Sequence, residues 1–410
     1  MVRELERKRQ DANFPKTAPA ANPVFFRTYS RRTPAGLRET WDEVCSRTLQ
    51  GLIELGKLNP QEAAILEQMQ RNLKALPSGR WLWVGGTDWI AKPKNFSGAY
   101  NCTSTNLQDW SAFGLMMDLA MMGCGTGAIL EPQHINQLPP IRNHLHVTVA
   151  GKIGNTTKEL RREYTQTNIE GNNVTIFVGD SREGWVKSYQ TLLELSTDER
   201  FTGDVQVTVD ISDVRQAGET LNGFGGVANP VKLPILYENC AAILNKALGR
   251  KLNSVECCLL IDQAAVTIVA GNIRRSAGMR QFIADDQLAA TAKDNLWQQD
   301  AKGNWRIDPE RDALRMANHT RVFHRKPTLE ECVDAVRKQY YSGEGAIQWA
   351  GEAVARANLD LLQTQALKVD FLKAYTQGTA KQWLQERYPN LEADELEHRL
   401  QRYGLNPCGK

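Results

Sequence analysis

A thiol set between a proline and a glycine is presented to its surroundings instead of being packed away. Asn406-Pro407-Cys408-Gly409 has that arrangement, and radical or nucleophilic cysteine chemistry needs such a thiol within reach of a reacting atom. Cys102, in Tyr100-Asn101-Cys102-Thr103, reads on its own as a small buried apolar group. Three glycine-rich stretches would let backbone approach a ligand closely. Gly123-Cys124-Gly125-Thr126-Gly127 follows a predicted helix and precedes a predicted strand. A dinucleotide fingerprint needs the opposite order, so that reading is set aside in favour of a tight helix–strand turn or a backbone surface facing a ligand. Gly223-Phe224-Gly225-Gly226 follows a strand, where α/β proteins place ligands. Gly271-Asn272-Ile273-Arg274-Arg275-Ser276-Ala277 closes an apolar segment. Its paired arginines either read a phosphate or base edge or answer a helix dipole. His144 and His146 are two apart and no cysteine stands at zinc spacing from them, so no metal site is expected.

The elements that must hold these residues follow from pattern. Residues 1–35 are broken by Pro15, Pro19, Pro23 and Pro34 and read as an extended arm. Asn59-Pro60 caps a helix that carries Leu66, Met69 and Leu73. Trp81–Val84 reads as a short strand. Asp109 caps a helix over Trp110–Met122, and Ala128–Leu130 is strand-like. Residues 141–172 show weak β alternation, Val174–Val178 is a buried strand and Glu183–Thr197 a helix. Val205, Val207, Val209 and Ile211 alternate with polar residues as a strand does. Helices are predicted at about 232–249, 254–270 and 344–366, after the Thr328 capping box to about Tyr341, and across 370–403. Strands interleaved with helices make the class α/β.

The 410 residues are enough for two or three domains, or for one large α/β domain. Lys and Arg number 50 against 47 Asp and Glu, and a net charge of +3 argues against a binder of nucleic acid polymers. Eight irregularly spaced cysteines without a CxxC favour a reduced, cytoplasmic setting. No secretory leader or 18-residue apolar run is present, so no membrane partner is expected.

In chain order the segments are Leu76-Pro77-Ser78-Gly79-Arg80, Gly86-Thr87-Asp88, Asn101-Cys102, Gly123-x-Gly125-x-Gly127, Asp180-Ser181-Arg182-Glu183-Gly184-Trp185, Gly223-Phe224-Gly225-Gly226, Ala270 to Ala277 and Asn406-Pro407-Cys408-Gly409. That set resembles the adenosylcobalamin-dependent (class II) ribonucleotide reductases, in particular the monomeric ribonucleoside-triphosphate type, from about residue 25 to the last. The resemblance implies a helical N-terminal region (1–75) and then the N-terminal part of a ten-stranded α/β barrel (76–410). That part includes an effector-site insertion at about 141–260 and the start of a finger loop at 404–410. It implies adenosylcobalamin as cofactor and a thiyl radical on Cys408 that abstracts the ribose 3′ hydrogen. Cys102 would be one of two cysteines that reduce the 2′ carbon, and Asn406 would hydrogen-bond a ribose hydroxyl. Ser78, Gly125, Gly271, Asn272, Arg274, Arg275 and Ser276 would contact substrate or effector. The implied partners are a ribonucleoside triphosphate, a deoxynucleoside triphosphate effector and a thioredoxin-like reductant, in a monomer. The cobalamin-carrying signature D-x-H-x-x-G is absent from the chain.

One departure stands out. The family continues Asn-Pro-Cys-Gly with a Glu that acts as base, and Lys410 is in its place. The partner of Cys102, the second half of the barrel and the C-terminal shuttle cysteines are not matched. The expectation is that this chain alone does not turn over, and that it is an N-terminal part interrupted by an intein or other insertion, completed by a second chain, or cut by a frameshift. A non-catalytic nucleotide-binding fragment and a reductase of another class are the competing readings.

Overall fold

The structure, a computed structural model, describes residues 14, 17–33, 35–219, 228–270, 277–342 and 344–407. It forms two compact units, one ending at Asn101 and one beginning at Cys102.

The first unit is helical. Its longer helices, Trp41–Gly56 and Pro60–Arg71, both start in capping boxes, at Thr40 with Glu43 and at Asn59 with Glu62. Phe25, Trp41, Val44, Cys45 and Leu82 make one small core, and Trp81, Val84 and Ile90 another. Two expectations are corrected here. The arm contains a helix, Ala21–Thr28, because Pro23 falls in its first turn, where a missing N–H leaves no bond unmade. Trp81–Val84 is helical, within Gly79–Val84. A four-residue apolar run does not distinguish strand from helix, and the Ser78 hydroxyl decides it by accepting from the Trp81 N–H at 3.2 Å.

The second unit is built on two sheets. Its strands in chain order are β1 (Cys102–Asn106), β2 (Gly125–Ile129), β3 (His144–Ala150), β4 (Gln166–Glu170), β5 (Asn173–Phe177), β6 (Asp204–Asp210), β7 (Gly278–Ile283), β8 (Trp297–Gln299), β9 (Trp305–Ile307), β10 (Ala317–Phe323) and β11 (Ala346–Trp349). The principal sheet has the order β1-β2-β7-β10-β11, and every pairing in it is parallel. Parallel neighbours need crossovers. Helix Trp110–Met121 supplies one between β1 and β2, and helix Leu329–Ser342 another between β10 and β11. Asp109 starts the former by accepting from the Ala112 N–H at 2.8 Å. All five residues of β2 are buried, as a strand inside a covered parallel sheet requires.

Between β2 and β7 the chain makes the second sheet, ordered β3-β6-β5-β4, with only the β4–β5 pair antiparallel. Val205, Val207 and Val209 of β6 turn into the core while the residues between them face out. Helices Arg182–Leu195 and Leu233–Lys246 share that core. Helix Ser254–Ala270 then leads towards β7.

The predicted helix at 344–366 is corrected as well. Residues Ala346–Trp349 pair with β10 as β11, and the helix covers only Ala350–Ala357. The charged 370–403 stretch is helical as expected, in helices Gln365–Thr376, Ala380–Arg387 and Ala393–Leu400. Phe371, Leu384, Leu396 and Tyr403 from this stretch pack with Ile129 and Val322 of the principal sheet. Among the described residues no helix is long and apolar enough to cross a membrane.

Candidate active site

Cys102 opens β1 and stands opposite Gly125, which opens β2. The chain leaving helix Ala393–Leu400 runs back along these two strands. A Cβ on Gly404 would strike the Ser104 hydroxyl, and one on Gly127 would strike the carbonyl oxygen of Leu405. A Cβ on Gly125 would lie 2.9 Å from Cys102 Sγ and 3.3 Å from Pro407 Cγ. Residues 404, 405 and 407 therefore sit over successive positions of β1 and β2, descending towards the end that carries Cys102. Glycine in a central strand weakens it and marks a close backbone approach; here Gly125 and Gly127 make room for the segment that leads into Cys408.

Two buried glutamines hold that segment. Gln281 of β7 accepts from the Leu405 N–H at 2.7 Å and donates to Gln348 of β11 at 2.5 Å, and Gln348 donates to the Tyr403 carbonyl at 2.5 Å. Each amide is thereby satisfied at both ends, which is what makes burial of a polar side chain tolerable. The Tyr403 ring is buried too, and its hydroxyl donates to Glu131 Oε2 at 2.9 Å and accepts from Gln133 at 2.5 Å. His324 Nε2 meets the same Glu131 oxygen at 2.7 Å. Burial, reinforced by the Glu131 carboxylate, pushes the Tyr403 phenol far above its ordinary value, so it stays a donor. Burial lowers the neighbouring His134.

On β7, Arg280 is fully buried and bonds Asp262 of helix Ser254–Ala270 through Nε at 3.1 Å and Nη2 at 2.7 Å. Its Nη1 donates to the Thr126 carbonyl at 2.8 Å. The Thr126 N–H in turn donates to the Ala277 carbonyl at 2.9 Å. Strand β7 is thus fastened to the helix before residues 271–276, and Ala277, where the described chain resumes, lies beside Gly125 on β2.

The structure brings together three of the residues singled out by sequence: Cys102, Gly125 and, through Pro407, the Asn406 segment. Asn406 is partly buried. Cys102 is disulfide-bonded, while Cys45, Cys124, Cys240, Cys257, Cys258 and Cys332 are free. Ser78 lies in the first unit, with its hydroxyl engaged as a helix cap. Cys408, Gly271, Asn272, Arg274, Arg275, Ser276 and the Gly223–Gly226 loop fall outside the described residues. Sequence reasoning missed Gln281, Gln348, Glu131 and Arg280. Their signal was present: each is a long polar side chain inside or next to an apolar strand.

The site is thus a parallel α/β sheet whose glycine-faced strands lie beside Cys102 and receive an incoming Asn-Pro segment. Residues 148–244 match the family model "B12-dependent ribonucleotide reductase, insertion domain". The adenosylcobalamin-dependent ribonucleoside-triphosphate reductase of Lactobacillus helveticus is 29% identical over 312 residues, covering 64% of this chain and 41% of that protein. Its counterpart from Lactobacillus gasseri is 29% identical over 317 residues, covering 66% and 42%. A crystal structure of a B12-dependent (class II) ribonucleotide reductase matches the fold with a TM-score of 0.58 at 21% identity, over 73% of this chain and 45% of that one. The chain is a relative of the B12-dependent class II ribonucleotide reductases, and it spans about two fifths of the length of the curated relatives it matches.

Proposed function

We propose that this chain carries the first five parallel strands, the effector-site insertion and the start of the finger loop of an adenosylcobalamin-dependent ribonucleoside-triphosphate reductase. The observation that carries the reading is the course of Gly404–Pro407 over Gly127 and Gly125 to Cys102. A thiyl on Cys408 takes the ribose 3′ hydrogen. Asn406 holds a ribose hydroxyl by hydrogen bonding. As the 2′ hydroxyl leaves as water, Cys102 and a second thiol reduce the 2′ carbon and become a disulfide, which a thioredoxin-like dithiol reopens.

Adenosylcobalamin, when bound, supplies the radical that removes the thiol hydrogen. Within this chain, Gln281 and Gln348 would hold the segment that leads to that thiol, through bonds of 2.5–2.7 Å; a radical thiol must be held still, and the cofactor carries the radical step. Ribonucleoside triphosphates are the substrates, and a deoxynucleoside triphosphate bound beside the insertion would bias the Gly271–Ser276 segment, with Arg274 and Arg275 as the phosphate- or base-reading groups.

The test is deoxynucleotide formation in the enzyme that contains this chain. Cys102→Ser is expected to abolish it. Asn406→Ala is expected to lower it by about 100-fold, as loss of one positioned donor at a reacting centre does. Full activity in Cys102→Ser would overturn the reading.

A further inference from the structure

His144 and His146 stand on the solvent face of β3, on either side of Leu145, which points into the core. Asp204 opens the neighbouring strand β6 directly opposite His144. His144 Nδ1 and His146 Nε2 are 3.2 Å apart, and Asp204 Oδ1 is 3.5 Å from the first and 3.4 Å from the second. The three donor atoms thus form a nearly equilateral triangle.

Hydrogen bonding explains that triangle poorly. A neutral imidazole carries one N–H, and a proton shared between the two rings points at one partner, leaving lone pairs of nitrogen and oxygen facing each other. The two contacts to Asp204 are also long for charge-assisted bonds. A central cation uses all three lone pairs at once. A tetrahedron with ligand bonds of 2.0–2.1 Å has edges of about 3.3–3.4 Å, whereas adjacent ligands of an octahedral ion at the same bond length are about 2.9 Å apart. The spacing found is the tetrahedral one.

The backbone fixes the ligands in place before any ion arrives. The His144 N–H donates to the Gly203 carbonyl at 3.2 Å, beside Asp204. Between the two histidines, Asn245 accepts from the Leu145 N–H and donates to the Leu145 carbonyl, both at 2.9 Å. Asn172 donates to the Asp204 carbonyl at 3.0 Å.

We propose that His144, His146 and Asp204 bind one divalent transition-metal cation of the Zn²⁺ type, in tetrahedral geometry with the fourth position open to water. Imidazole nitrogen and carboxylate oxygen suit zinc, and they do not suit magnesium, which prefers oxygen donors in an octahedron. The site is separate from Cys102 and from the loop that leads to Cys408, and it stands whether or not the reductase reading holds.

The experiment uses the untagged, chelator-stripped chain and Zn²⁺ alone. Equilibrium dialysis is expected to show one bound Zn²⁺ that His146→Ala and Asp204→Asn each weaken at least about tenfold. Replacement by Co²⁺ should give the intense visible absorption of a four-coordinate ion. Should either variant misfold, a Zn²⁺ titration of the unaltered protein followed by imidazole NMR decides: the resonances of His144 and His146 should move first among the six histidines. No binding at micromolar Zn²⁺, binding that both variants retain, or first movement of other histidines would each overturn the proposal.

Discussion

Replacing Gly127 by alanine tests how the segment before Cys408 is seated. The added methyl would overlap the Leu405 carbonyl oxygen and lie 2.9 Å from the Thr103 carbonyl oxygen. Thr103 is fixed in register opposite Thr126, so Leu405 has to give way. Overpacking of this kind disfavours the native arrangement by about 1–3 kcal/mol. Moving Leu405 also breaks its 2.7 Å bond to Gln281, which adds about 1 kcal/mol. Together these make about 2–4 kcal/mol, or roughly a 30- to 1,000-fold rise in the population with the segment undocked. Hydrogen–deuterium exchange of the Leu405 amide reads that population directly, because its protection comes from Gln281. Exchange should accelerate by that factor at residues 403–406, while β7 and β10 exchange as before. An alanine at 127 that leaves Leu405 exchange unchanged, in a protein that still folds, would refute the idea that the segment lies over this glycine.

Other consequences are smaller in scope. Tyr403→Phe removes a donor to the buried Glu131 carboxylate, and urea unfolding should show a loss of about 1.5–3 kcal/mol, as for a hydrogen bond to a charged group. His319 is held well below its usual 6.5 by burial first, then by Lys293 and Arg280. The unfolded chain therefore takes up a proton below pH 6.5 that the native protein refuses. Stability should be insensitive to this group above pH 6.5 and fall below it, by up to about 1.4 kcal/mol per pH unit. His134, also lowered by burial, adds in the same direction. Denaturant unfolding across that range should show a gentler acid loss in His319→Phe, whose ring suits the site beside Phe282; an unchanged slope would contradict this account.

Much of the fold was legible because its signals are local. Capping residues at Asn59, Asp109 and Thr328 and the valine alternation of β6 marked elements where the structure has them. Trp81–Val84 and Ala346–Trp349 were misread because short apolar runs carry no period of their own, and the cap at Ser78 and the pairing with β10 settled them. The site was half legible. Cys102, Gly125 and Asn406 were singled out through motif order, yet nothing in spacing shows that Gly125 and Gly127 clear a path for residues about 280 positions later. The Gln281–Gln348 clamp and the Glu131–Tyr403 pair are long-range side-chain contacts across strands, which a sequence pattern does not encode. The same holds for Asp204, which reaches the two histidines only through the parallel register of β3 and β6.

The proposed thiyl-radical reduction of ribonucleotides, in the enzyme that contains this chain, requires adenosylcobalamin. The most direct measurement is the corrin dependence of deoxyribonucleoside triphosphate formation in that enzyme, with a dithiol supplied. Product is expected only when adenosylcobalamin is present, and none from Cys408→Ser. Product formed at the same rate without the corrin, or from Cys408→Ser, would contradict it.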